Sequence, residues 1–143
     1  MKKKLTLLLI FTFTINSAAL AILNFRKGDI QIINPWVQAT NGRNADLFME
    51  IVNHGDEPDK LLRVQSNVSQ LNELHLHSQG NDKITISKVQ FIEIPQFGNR
   101  LLIPDGHHIM LTNLSHPLLG GNNVHITLFF ERAGAISFPA LIK

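Results

Sequence analysis

Residues 71–94 read LNELHLHSQGNDKITISKVQFIEI, and this stretch decides the fold class. Two runs in which apolar and polar residues alternate, Leu71–His77 and Lys83–Ile94, flank the sequence SQGND at 78–82. Alternation with a period of two is typical of strands that bury one face. Polar residues around a glycine are typical of a tight turn. The stretch therefore predicts an antiparallel β-hairpin.

Short strands and turns continue on both sides of this hairpin. Turn sequences such as Asn41-Gly42 and Gly120-Gly121 separate runs rich in β-branched and aromatic residues. The other predicted strands are Asp29–Ile33, which ends at Pro35, and Leu47–Val52, Lys60–Gln65, Arg100–Ile103, His107–Thr112, Val124–Glu131 and Ala135–Leu141. About nine short strands without a helical period predict an all-β sandwich or barrel.

The N-terminus has the features of an export signal. Lys2–Lys4 form a positive segment, Leu5–Phe13 an apolar one, and Ala19-Leu20-Ala21 a cleavage site of small residues. This order predicts a signal peptide over residues 1–21. The apolar run is shorter than the roughly 20 residues of a comfortable membrane span. An uncleaved anchor is the alternative, and residues 22–143 are predicted to form one domain without a further span.

Charge and cysteine content exclude several kinds of function. Removal of residues 1–21 leaves ten Lys and Arg against eleven Asp and Glu. The basic character therefore belongs to the leader, and nothing predicts nucleic-acid binding. The chain has no cysteine, which excludes thiol chemistry and Cys-based metal sites. Any metal ligands must be His, Met, carboxylates or backbone groups.

Two groups of histidines have the spacing of a metal site on a strand. Glu73, His75 and His77 share one face of their strand, and His108 and Met110 share one face of theirs. Thioether sulfur selects soft ions, and imidazole suits Cu, Zn and Ni, so a His-x-Met pair favours copper over zinc. The alternative is that the histidines are solvated and that Met110 belongs to the core.

Several segments resemble those of one family, the periplasmic copper chaperones of the PCu(A)C type. The resemblance rests on ordered matches along nearly all of residues 22–143 to the family segments AWVRAT, FMxxxNxGD, ELH, IEIP, PGGxHVML and FEKAG. In this chain they read PWVQAT at 35–40, FM with NHGD at 48–56, ELH at 73–75, IEIP at 92–95, PDGHHIML at 104–111 and FERAG at 130–134. The resemblance implies a cupredoxin-like Greek-key β-sandwich.

The family's copper motif is a His, ten residues, a Met, 21 residues and His-x-Met. In this chain the motif falls on His75, Ile86, His108 and Met110, so isoleucine replaces the first methionine. The resemblance implies that His75, His108 and Met110 are ligands. His77 is the expected substitute for the lost thioether, with Glu73 orienting an imidazole. One thioether among imidazoles should weaken the preference for Cu(I) and favour Cu(II).

The leading hypothesis is therefore a periplasmic copper carrier and not an enzyme. It would bind one copper, as Cu(I) or Cu(II), and pass it by ligand exchange to a copper-accepting protein. The resemblance implies the copper centre of cytochrome c oxidase or another copper chaperone as the recipient. Two alternatives remain: a β-sandwich binding or scaffold module that has lost its metal site, which Ile86 supports, and a hydrolase whose triad assembles only in space.

Overall fold

The computed structural model describes residue 2 and residues 23–143, and the described chain is all-β. The predicted signal peptide and its cleavage site thus lie outside the described residues, apart from Lys2. No helix in the described part is long and apolar enough to cross a membrane. Residues 23–143 form eleven strands: β1 Asn24–Lys27, β2 Ile30–Val37, β3 Ala45–Asn53, β4 Asp59–Ser66, β5 Ser69–Gly80, β6 Lys83–Val89, β7 Ile92–Ile94, β8 Gly98–Leu102, β9 His108–Leu114, β10 Asn123–Phe130 and β11 Gly134–Ile142.

The strands join in the order β6-β5-β9-β3-β2-β11-β10-β4-β7, with β1 on β2 and β8 on β3. Alternate side chains point inward because successive residues of a strand face opposite sides. The largest fully buried ones include Phe138, Leu47, Ile51, Ile109 and Leu111. Aliphatic residues from both halves of the strand order fill one continuous core. The predicted all-β sandwich is confirmed.

The predicted strand Lys83–Ile94 is two strands, and this prediction was wrong. β6 pairs with β5, whereas β7 pairs with β4 at the opposite end of the strand order. The chain crosses between these two ends at Gln90 and Phe91, which neither strand includes. Strand β1 was not predicted either, because NFRK has no clear alternation. The count is therefore eleven described strands against about nine expected.

The first predicted strand also continues past Pro35, where an end was expected. Asn34 adopts a positive φ of 52°, and the pairing of β2 with β3 shifts between Ile33 and Trp36. Proline, which has no N–H to donate, is tolerated within sheets at such irregularities. Beyond it, the Trp36 ring packs on Phe48 with centroids 4.7 Å apart.

The central strand β3 positions the candidate site. β8 pairs with one half of β3 through Met49 and Leu102, and β9 pairs with the other half through Leu47 and Ile109. β8 and β9 thus follow one another along the same side of β3. Residues 103–107 form a loop between them, closed by hydrogen bonds from Ile103 N to His107 O and from Gly106 N to Ile103 O, both 3.0 Å.

Candidate metal centre

The register between β5 and β9 places His75 directly opposite His108. Their ring centroids lie 5.0 Å apart and the ring planes meet at 62°. Each side chain is only 13% exposed. We call these two residues the imidazole pair. Because His75 and His108 lie on adjacent strands and face the same side, their nitrogens can approach one ion.

Glu73 leaves His75 with one free ring nitrogen. The His75 Nε2–H donates to Glu73 Oε2 at 2.9 Å, since a carboxylate oxygen can only accept. In the neutral ring, Nδ1 then carries the unshared lone pair. Lys88 donates to the other Glu73 oxygen at 3.1 Å. The hydrogen bond from His75, followed by that from Lys88, lowers the pKa of Glu73, which therefore stays an anion.

The 103–107 loop orients His108 in the complementary way. The His108 Nδ1–H donates to the Gly106 carbonyl oxygen at 2.8 Å. This bond leaves Nε2 with the lone pair in the neutral ring. Histidines that bind metals typically donate their other N–H to a carboxylate or a backbone carbonyl. Both members of the imidazole pair have such a partner, one of each kind.

Met110 lies on the same face as the imidazole pair, two residues along β9 from His108. It stands between Glu73 on β5 and Asp46 on β3, each of which is its direct cross-strand partner. Ile109 points the opposite way and is fully buried. Met110 itself is only partly buried and does not belong to the core. The alternation read from the sequence is therefore correct, and the thioether is on the side of the two imidazoles.

His77 is farther from His108 along the sheet. It lies two residues beyond His75, about 6.8 Å along the strand, and its cross-strand partner is Ile86. Its backbone N–H donates to His107 Nδ1 at 2.9 Å. A cleft of about 430 Å³ separates the end of β5 from β8, with His77 and His107 in its lining. Burial, together with nearby Arg100, lowers the pKa of His107, which fits its role as an acceptor.

Ile86 lies on the same face of the β5–β6 hairpin as His75 and His77. It lies opposite His77, and its neighbour on that face, Lys88, lies opposite His75. Its side chain is 55% exposed. A longer side chain at this position would therefore meet solvent and the imidazole side of β5, and not the core.

The remaining histidines of the described chain lie elsewhere. His54 Nε2 bonds Gln31 Oε1 at 2.8 Å, and His116 Nδ1 donates to the Pro117 carbonyl at 2.9 Å. His125 is exposed on β10. Within the described residues, no three His, Asp or Glu side chains converge as metal ligands. To bind a metal ion, the imidazole pair therefore needs a further ligand of another kind, such as a thioether, or a side-chain rotation that brings in a third residue.

Sequence reasoning missed Asp46. Its Oδ1 lies 4.0 Å from His108 Nε2, on the nitrogen that the Gly106 bond leaves free. A carboxylate between Ala45 and Leu47 on an alternating strand signals an outward position. Its partner, however, depends on the pairing of β3 with β9, and no local pattern reveals that pairing.

The fold places the chain among β-sandwich domains of the PCuAC type. The copper-bound PCuAC domain from PmoF2 is 27% identical and superposes with a TM-score of 0.75, covering 85% of this chain and 98% of that domain. The solution structure of CuI-DR1885 from Deinococcus radiodurans is 25% identical, with a TM-score of 0.65 over 84% of this chain and 80% of that one. The resemblance seen in the sequence is confirmed.

The chain belongs to the LpqE-like family. The family model described as "Putative lipoprotein LpqE-like" matches residues 30–142. A curated relative, "Putative lipoprotein Lxx21020" of Leifsonia xyli subsp. xyli, is 28% identical over 103 residues. That match spans 71% of this chain and 62% of the relative.

Proposed function

We propose that this protein is an exported copper carrier that binds one copper ion through His75, His108 and Met110, with His77 as a further donor. The observation that carries the proposal is the imidazole pair. His75 and His108 face each other at 5.0 Å, and each has one ring nitrogen held by an oxygen acceptor and the other free. Two histidines that were merely solvated at the surface would not require both rings to be oriented by oxygen acceptors in this way.

The donor chemistry supports copper over other ions. The thioether of Met110 is a soft ligand and imidazole suits copper in both oxidation states. The solved PCuAC domains from PmoF2 and Deinococcus radiodurans, which are copper-bound and CuI-bound respectively, have the same fold. These relatives support the assignment of copper, and not of a particular set of ligands, to this chain.

The position of the proposed site supports transfer by ligand exchange. The imidazole pair is close to the surface, and Ile86 beside it is more than half exposed. A recipient can therefore offer its own ligands before all of the carrier's ligands have dissociated. We propose a copper-accepting protein as recipient, such as a cytochrome c oxidase copper subunit or another chaperone, in the periplasm. The protein itself would be a carrier and not an enzyme, with residues 22–143 as its single domain.

A copper titration of residues 22–143 tests the proposal. The native domain should bind one copper per chain, measured by competition against a chelator and by metal analysis. His108→Ala and Met110→Ala should each weaken binding by about tenfold or more, a loss of about 1.4 kcal/mol. His116→Ala and His125→Ala are matched controls, because both lie away from the pair. Equal losses in the controls would contradict the assigned site.

The second candidate is a binding module without metal transfer. The observation that favours it is Ile86, an apolar side chain at the position where the copper motif has methionine. In that case the native domain would retain no copper after desalting, while its fold would be unchanged by circular dichroism. The titration therefore distinguishes the two functions directly.

A further inference from the structure

Asp46 is the one carboxylate of residues 23–143 that lies within 4.0 Å of the free nitrogen of His108. Its Oδ1 is 4.0 Å from His108 Nε2, and its side chain is 39% exposed. A metal bound to both atoms would have bonds of about 2.0–2.1 Å to nitrogen and about 2.0–2.2 Å to oxygen. The sum of these bonds is close to the observed separation, so one ion can lie nearly in line between the two atoms. Because no three His, Asp or Glu side chains of the described chain converge as they stand, His75 joins this ion only after a side-chain rotation.

The two carboxylates that flank Met110 are not equivalent. Glu73 is engaged on both oxygens, with His75 at 2.9 Å and Lys88 at 3.1 Å. Asp46 accepts no side-chain hydrogen bond from the residues at 23–143, and His108 is its one ion-pair contact there. Both oxygens of Glu73 therefore already accept hydrogen bonds, whereas the Asp46 carboxylate is available to bind a cation.

The strand register keeps Asp46 on the metal side. Asp46 is the cross-strand partner of Met110, so their side chains leave the sheet on the same face. The buried Leu47 that follows it points into the core and fixes this orientation. The row from β5 to β3 is thus Glu73, Met110 and Asp46, beside the row of the imidazole pair.

We infer that Asp46 is an oxygen ligand that makes the proposed site selective for Cu(II). This inference rests on the proposed copper function and deepens it. Two imidazoles with a carboxylate form an N,O donor set, which is the set that suits tetragonal Cu(II). Carboxylate oxygen is a hard donor and adds little to the binding of Cu(I). Asp46 thus compensates, from β3, for the soft donor that Ile86 does not provide.

The test compares Asp46→Asn with Glu50→Gln in the domain at 22–143. Both substitutions remove one negative charge from the same face of β3, but Glu50 is four residues away and bonds Asn99 instead. We expect Asp46→Asn to weaken Cu(II) binding by about tenfold or more and to change Cu(I) affinity by less than about threefold. The Cu(II) electron paramagnetic resonance spectrum should also change. Glu50→Gln should leave both affinities and the spectrum as in the native domain.

Several results would overturn the inference. An unchanged Cu(II) spectrum in Asp46→Asn would mean that the carboxylate does not touch the ion. Equal losses of Cu(I) and Cu(II), or equal losses in both variants, would indicate a general charge effect. If the native domain bound copper but only His77→Ala weakened Cu(II), the extra donor would be His77. Failure of the native domain to bind any copper would instead overturn the proposed function itself, so the two failures are distinguishable.

Discussion

Ile86 shows most directly how one side chain can set the preference of the proposed site. It faces the same side as the imidazole pair, diagonal to His75 across the β5–β6 ladder. Diagonal neighbours are within reach of long side chains, at about 7–8 Å between strands. Ile86→Met nearly conserves volume, and the exposed position tolerates it.

We therefore expect Ile86→Met to raise Cu(I) affinity by about tenfold relative to Cu(II), because it adds a soft donor. His77→Ala should mainly weaken Cu(II), because it removes an imidazole and leaves Met110 in place. Competition for each oxidation state against chelators of known affinity measures both effects. An unchanged Cu(I)/Cu(II) ratio in Ile86→Met would show that this residue does not face the metal.

Residue spacing predicted part of the site, because residues two apart in a strand always lie on the same face. The spacing predicts that His108 and Met110 share a face and that Glu73 and His75 share a face. The structure confirms both predictions. The contact of Glu73 with His75 also follows from this spacing. Spacing could not reveal that His75 meets His108, nor that Asp46 approaches His108, because both depend on pairing between distant strands. The resemblance to a family supplied the first of these and not the second.

At the scale of elements, the turn between β10 and β11 depends on a buried carboxylate at the start of β4. Asp59 is only 4% exposed. It accepts hydrogen bonds from the backbone N–H groups of Lys60, Arg132 and Ala133, at 2.8, 2.9 and 3.0 Å. Removal of the acceptor would leave partly buried donors without a partner.

Asp59→Ala should therefore lower the free energy of unfolding by about 2–4 kcal/mol, as expected when buried donors lose their partner. Urea unfolding measures this loss. Copper affinity of the folded variant should stay native, because the hydrogen bonds of Asp59 are with Lys60 and the β10–β11 turn and not with the imidazole pair. Asp56→Ala is the control, because Asp56 is exposed, and it should change the free energy of unfolding little. A loss below about 0.5 kcal/mol in Asp59→Ala, typical of surface changes, would argue against this role.

The elements that the sequence misjudged share a physical cause. Alternation persists through Lys83–Ile94, yet the chain passes from one end of the strand order to the other at Gln90 and Phe91. Periodicity reports which face is buried and not which neighbour is paired. Likewise, Pro35 is a valid stop signal for regular pairing, but the positive φ of Asn34 allows β2 to resume beyond it.

For the whole molecule, the predicted export would determine where the proposed function operates. Lys2–Lys4 and the Ala19-Leu20-Ala21 site predict cleavage after Ala21. Strand β1 begins at Asn24, so the cleavage would leave every described strand intact. Intact-mass analysis of the periplasmic fraction should give Ile22 as the first residue. Ala21→Phe, which puts a large side chain at the site, should retain the leader, whereas a native protein that keeps Lys2–Lys4 would refute the prediction.

The parallel pairing of β11 with β2 has a consequence for the order in which the chain folds. Leu141 and Ile142, at the end of the sequence, pair with Trp36 and Val37 near its start. Pairing across such a separation is slow, because the intervening chain must lose its freedom before the contact forms. The β5–β6 hairpin needs only its own turn, and β9 joins it from within the same half of the chain. When the N-terminus is synthesised or exported first, β5, β6 and β9 can thus pair before β11 is present. The parallel pairing of β11 with β2 forms afterwards.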